Sequence, residues 1–159
     1  MFHTIITGAS KGIGKELANV YAQNGNNLIL VARSGELLEA LKIEILSKYK
    51  LDIHILPLDL TQNNCSQILL NYCQDNNLRI NNLVNNAGFG DFEYFVDQDL
   101  TLINNMISVN ITALTDLTYT FLNEIINNKG RIMLIAIESA SPKNVVKYLD
   151  LFEVGAIRV

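Results

Sequence analysis

The first residues that could do chemistry are the glycines of Thr7-Gly8-Ala9-Ser10-Lys11-Gly12-Ile13-Gly14. A G-x-x-x-G-x-G run suits a loop that wraps a phosphate. Gly8 permits a sharp exit from a preceding element, Gly12 lets backbone approach a pyrophosphate, and Gly14 lets a following helix pack close. A helix starting at this loop offers free N–H groups and a positive dipole end to an anion, and Ser10 adds a hydroxyl donor. Two cations are candidates for the same ligand: Lys11 inside the loop, and Arg33 in Val31-Ala32-Arg33-Ser34. Taken alone, the glycine pattern also reads as a structural turn, and context must decide.

That context is an alternation of strand and helix. Phe2 to Thr7 is a short apolar strand that runs straight into Gly8. Gly12 to Asn24 has helical spacing at Ile13, Leu17, Val20 and Tyr21, and Gly25-Asn26-Asn27 closes it. Leu28 to Ala32 is a continuous apolar run, as a strand buried on both faces requires. Leu37, Leu38, Leu41, Ile45 and Leu46 mark an amphipathic helix. Ile53 to Leu58 is a third strand, with Pro57 near its end. A helix from about Gln62 to Gln74 turns Ile68, Leu69 and Tyr72 inward. Ile80 to Val84 is a fourth strand, Leu100 to Ile126 a long helix, and Arg131 to Ile137 a fifth strand after Lys129-Gly130. The pattern predicts an α/β fold, a Rossmann-type doubly wound parallel sheet of about five strands. Residues 1–137 form that domain, and 138–159 form a tail that the pattern does not place.

With a strand before it and a helix after it, Thr7 to Gly14 resembles the cofactor loop of the short-chain dehydrogenase/reductase family. Leu83-Val84-Asn85-Asn86-Ala87-Gly88 is similar to the family's N-N-A-G after the fourth strand. Asp59, in Leu58-Asp59-Leu60, matches the acidic residue near the adenine ring, and Asn110 matches an asparagine that holds a water in the family's proton relay. The resemblance covers roughly residues 2 to 136. It implies a nicotinamide dinucleotide cofactor held by Gly8, Ser10, Lys11, Gly12, Ile13, Gly14, Arg33, Asp59, Leu60, Asn86, Ala87 and Gly88, with Asn110 in the relay. Each residue also has a structural reading. Asn85 and Asn86 could stitch the strand exit, and Asp59 could cap a helix. Asn110 is harder to explain structurally, because asparagine is a poor helix former.

The second strand's end sets the nucleotide. Members that prefer NAD place an acid there for the ribose 2′-hydroxyl. Here Ala32 holds that position and Arg33 follows, so the expectation is NADP(H) over NAD(H), with Lys11 and Arg33 on the 2′-phosphate. The competing reading leaves both cations solvated. The resemblance also implies carbonyl reduction or alcohol oxidation on a small substrate, by way of a serine, a tyrosine and a lysine four residues after it. This chain departs from that set. By register from Gly130 the serine falls at Ile137, with Ser139 two residues late; Tyr148 has Phe152 four residues on, and Lys143 and Lys147 both precede it. A slipped set of Ser139, Lys147 and Tyr148 would put adjacent residues about 100° apart on a helix. The chain therefore reads as truncated before the Y-x-x-x-K motif, its tail the product of a frameshift or early stop, testable in the downstream DNA. Three readings stand: an NADP-dependent oxidoreductase by descent, an inactive nucleotide-binding remnant, and an interaction protein.

Composition bounds the rest. The 159 residues carry a net charge of −4, with 49% hydrophobic and 18% charged. One folded domain fits, and no general attraction to nucleic acid or an anionic membrane follows. No secretory signal or membrane-length apolar run is seen, so a cytoplasmic location is expected. Cys65 and Cys73 read as buried thiols. No metal-ligand spacing is present, and His3 and His54 each stand alone in a strand-like run, so no metal is expected. An uncovered fifth strand would be an exposed edge unless the tail or a partner pairs with it. The 100–126 helix is apolar on more than one face, which fits either core packing or a homo-oligomer interface.

Overall fold

The computed structural model describes residues 1–91 and 93–135, and the backbone of 154–158. Its elements are β1 (Phe2–Thr7), α1 (Gly12–Gln23), β2 (Asn27–Ala32), α2 (Gly35–Leu46), β3 (Ile53–Pro57), α3 (Cys65–Asp75), β4 (Arg79–Asn85), α4 (Leu100–Ile107), a π-helical segment (Ser108–Ala113), α5 (Leu114–Asn127), β5 (Arg131–Ile135) and β6 (Val154–Arg158). The sheet order is β3-β2-β1-β4-β5-β6. The first five strands run parallel. The chain builds outward from β1 through β2 to β3, then crosses to β4 on the other side of β1. That reversal between β1 and β4 is where doubly wound sheets open a crevice at their carboxyl edge.

Period-two alternation explains the two cores. Ile5, Ile29 and Val31 face one way and pack with Leu69, Leu117, Phe121 and Ile125 from α3 and α5. Ile6, Leu28 and Leu30 face the other way and pack with Ala18, Ala22, Leu38, Leu41 and Ile45 from α1 and α2. All six residues of β2 are buried, as its unbroken apolar run requires. On α2 the buried stripe is Leu38, Leu41 and Ile45, while Leu37 and Leu46 of the predicted face are exposed.

Two differences from the predicted pattern have physical causes. Helix α3 starts at Cys65, three residues later than Gln62, because residues 59–64 turn on themselves: Thr61 N–H donates to Asp59 Oδ1 and Gln62 N–H to the Asp59 carbonyl. The single long helix is three pieces. Ser108–Ala113 adopts the wider π pattern, and the apolar phase changes across it: α4 buries no residue, whereas α5 buries Leu117, Phe121 and Ile125. Of the two readings for this helix, core packing holds for α5, and α4 leaves Leu100 and Ile107 exposed. Of the two ways expected to protect the β5 edge, pairing with the tail is the one found. β6, drawn from the tail, pairs with it antiparallel from Arg131↔Arg158 to Ile135↔Val154. The thiols of Cys65 and Cys73 are free and buried, and burial pushes Cys73 up to about 12.

Candidate functional site

Four loops leave the carboxyl ends of β3, β2, β1 and β4 in spatial order, and they carry the predicted residues: Asp59 and Leu60, Arg33, Gly8 to Gly14, and Asn86 to Gly88. The glycine loop takes its shape from two left-handed residues, Gly8 at φ 67° and Gly12 at φ 56°. A side chain on Gly14 would run into the Gly8 carbonyl and the Asn86 amide, so this glycine seats α1 against the loop and against β4's exit. A side chain on Gly12 would meet nothing within 4 Å: the space beside it is open. Lys11 sits at the N-cap with extended backbone and makes no side-chain cap, and the first turn of α1 holds no acidic residue. The start of α1 is thus free of a side-chain cap and has open space beside Gly12, which is the condition an anion needs.

A residue absent from the predicted site organises this edge. Thr7 is buried at the end of β1. Its hydroxyl donates to the Val84 carbonyl at 3.2 Å and accepts from the Asn86 and Ala87 N–H groups, each at 3.0 Å. Asn86 answers with its amide, donating to the Thr7 carbonyl at 2.9 Å and the Gly8 carbonyl at 3.3 Å. The stitching of the strand exit is thus made by Asn86. Asn85 points the other way and donates to Thr118 Oγ1 at 3.0 Å on α5. The only signal for Thr7 was a hydroxyl at the end of a buried strand.

Arg33 and Lys11 are both exposed, and neither is paired with a carboxylate among the described residues. Neighbouring Ser34 caps α2 by accepting from Leu37 N–H. Asp59 does not cap a helix. Its Oδ1 accepts from the N–H and the hydroxyl of Thr61, both at 3.0 Å, while α3 begins six residues later. Leu60 is buried beside it. Ser10 is half-buried and Ile13 exposed on the glycine loop.

Asn110 lies in the π-helical segment. Its Oδ1 accepts from Phe89 N–H at 3.1 Å and its Nδ2 donates to the Phe89 carbonyl at 2.8 Å. A side chain on Gly88 would meet that same Oδ1 at 3.1 Å. The asparagine therefore fixes the loop after β4. Ile137, Ser139, Ser141, Lys143, Lys147 and Tyr148, where serine, tyrosine and lysine were sought, lie outside the described residues. One expectation is overturned: His3 and His54 do not stand alone but flank Asp52, at 3.1 Å and 3.2 Å. The sheet brings together strand starts that the sequence holds far apart.

A Rossmann-type sheet with a glycine loop, an uncapped helix start and a stitched β1–β4 exit is the architecture of the dinucleotide-binding class of folds. Comparison with known proteins narrows the class. A family model described as short chain dehydrogenase matches residues 3–147. The very-long-chain 3-oxoacyl-CoA reductase of Kluyveromyces lactis is 35% identical over 118 residues, which are 69% of this chain and 34% of that protein. The human dehydrogenase/reductase SDR family member 7 is 34% identical over 134 residues, 82% of this chain and 40% of that protein. Among solved structures, a short-chain dehydrogenase from Sphingobium yanoikuyae in complex with NADPH superposes with a TM-score of 0.78 at 32% identity, covering 86% of this chain and 53% of that one. A bulky-bulky ketone specific alcohol dehydrogenase from Comamonas testosteroni gives a TM-score of 0.78 at 31% identity, covering 86% and 55%. The chain belongs to the short-chain dehydrogenase family. It spans about a third to two fifths of the length of the curated relatives it matches. The family match also continues to residue 147, beyond the point near Ile137 where the motifs stop agreeing.

Proposed function

We propose that this chain holds NADP(H) on its carboxyl edge and serves reduction of a carbonyl compound or oxidation of its alcohol. The observation that carries the reading is the uncapped start of α1 at a glycine loop with open space at Gly12. The pyrophosphate would lie there on the N–H groups, with Asp59 and Leu60 towards the adenine and Asn86 to Gly88 along the β4 exit. Arg33 and Lys11 would take the 2′-phosphate, since Ala32 leaves no carboxylate to repel it. The NADPH held by the Sphingobium structure and the NADP held by a metagenomic short-chain oxidoreductase at 26% identity support that choice. When bound, the nicotinamide supplies the hydride. The chain's described residues bind and orient: Thr7, Asn86 and Asn110 fix the loops that border the nicotinamide side.

The test is a titration of NADPH and NADH into wild type and Arg33→Ala, with turnover of ketones and aldehydes followed in parallel. The substitution is expected to weaken NADPH by about tenfold or more, roughly 1.4 kcal/mol, and to leave NADH unchanged. Equal affinities of wild type for the two nucleotides would overturn the choice of cofactor. A second reading, binding without turnover, is favoured by one observation: Phe152 occupies the position four residues after Tyr148, where the family's lysine belongs. Saturable NADPH binding with no oxidation of it by any carbonyl would select that reading. Self-association through the exposed faces of residues 100–126 belongs to the same proposal, and the molecular mass in solution tests it.

A further inference from the structure

At the sheet's amino-terminal edge, opposite the glycine loop, three side chains converge. His3 is the second residue of β1, His54 the second of β3, and Asp52 immediately precedes β3. His3 Nε2 lies 3.1 Å from Asp52 Oδ2, and His54 Nε2 lies 3.2 Å from Asp52 Oδ1. One donor atom from each residue falls within 4.8 Å of the other two. A backbone clamp holds the trio. Asn27, on β2 between the two histidine strands, accepts from Asp52 N–H at 2.9 Å and donates to the Phe2 carbonyl at 3.3 Å. Leu28 N–H donates to the Asp52 carbonyl at 3.0 Å.

Hydrogen bonding indicates what this cluster lacks. Tyr72 on α3 donates its hydroxyl to the Ile55 carbonyl at 3.2 Å, and its oxygen lies 3.5 Å from His54 Nδ1, free to accept when that nitrogen carries the proton. In the tautomer with its proton on Nδ1, His54 presents the Nε2 lone pair 3.2 Å from Asp52 Oδ1, where a cation could take both. On His3, 4% exposed, Nδ1 has no partner among the described residues, and Nε2 makes its polar contact with the same carboxylate. The Asp52 side chain is 55% exposed, which gives an ion a route in from solvent.

We propose that His3, Asp52 and His54 form a binding site for a divalent transition cation of the zinc class. Two imidazoles and one carboxylate suit such an ion, and water would complete its shell. Donors around a tetrahedral zinc stand about 3.3 Å apart, given bonds of about 2.0–2.1 Å, and the two histidines already lie at 3.1 Å and 3.2 Å from separate oxygens of Asp52, so a small rotation of the carboxylate brings one oxygen to both. The ion would staple β1 to β3 across β2. It would do so at the edge opposite the glycine loop, so its effect is on stability and not on nucleotide affinity.

The experiment titrates the chelator-treated full chain with zinc chloride in competition with a chromophoric chelator, and repeats it with Asp52→Asn and His54→Gln. Wild type is expected to bind one equivalent, to melt at higher temperature with zinc, and to hold NADPH equally with or without it. Each substitution is expected to weaken zinc at least about tenfold, while a cooperative metal-free melt shows that the variant folds. Cobalt(II) in place of zinc should show ligand-field bands without the thiolate charge transfer that Cys65 or Cys73 would add. Three results would each overturn the proposal: no zinc bound by wild type, equal binding by both variants, or a thiolate band.

Discussion

The Thr7 hydroxyl serves three backbone groups at once, and two of them sit 79 and 80 residues away in sequence. Thr7→Val keeps the shape but leaves the Asn86 and Ala87 N–H groups without that acceptor. The expected cost is about 2 kcal/mol in a denaturant melt, with weaker nucleotide binding as the β4 exit loosens. At this scale the sequence shows residue types and local spacing, so the roles of Gly8, Gly12 and Gly14 could be assigned from neighbours. The hub at Thr7 and the bonds of Asp59 to Thr61 could not. The first depends on a partner from another strand, and the second on a turn that delays α3 to Cys65.

Among the elements, the π-helical segment is the one whose form periodicity hides. Apolar residues on either side of Ser108–Ala113 sum to one long helix unless the extra width between them is known. Asn110 was legible as a polar residue out of place in a helix, and its two bonds to Phe89 give the reason. Asn110→Leu should free the loop after β4: amide exchange at Phe89 is expected to rise at least about tenfold while α5 keeps its protection. Unchanged exchange there would show that the loop is held by something else. A bulge gives a second case. The β1–β4 register shifts between His3 and Thr4, and Glu124 and Asn128 on the α5 side take up the Ile80 N–H and carbonyl at 2.7 Å each. Glu124→Leu strips that buried N–H of its acceptor, at an expected cost of about 2 kcal/mol by thermal melt.

Across the whole molecule, alternating patterns were enough for the order of elements and for a parallel sheet, because each strand and helix is a local signal. Pairing is not local. That β6 would run antiparallel against β5, and that His3 and His54 would meet at one carboxylate, follow from sheet order. The amino-terminal edge also sets a pH response. Burial alone would raise the Asp52 carboxyl, but the hydrogen bond from His3 and the nearby charge of His54 outweigh it and hold the group below its usual range. A carboxylate depressed in the folded state adds stability above its unfolded value, about 3.9, and loses it as pH falls through the folded value. With 55% of the side chain exposed, screening limits the effect to less than about 1 kcal/mol. Asp52→Asn should therefore be slightly less stable than wild type at neutral pH, and the gap should close below about pH 4.

The carboxyl edge carries the central claim, and one titration reaches it directly: NADPH against NADH on the purified wild-type chain, followed by cofactor fluorescence or calorimetry. Weak but saturable binding of NADPH is expected, about tenfold or more tighter than NADH. No binding at millimolar nucleotide, or equal affinity for the two, would contradict it.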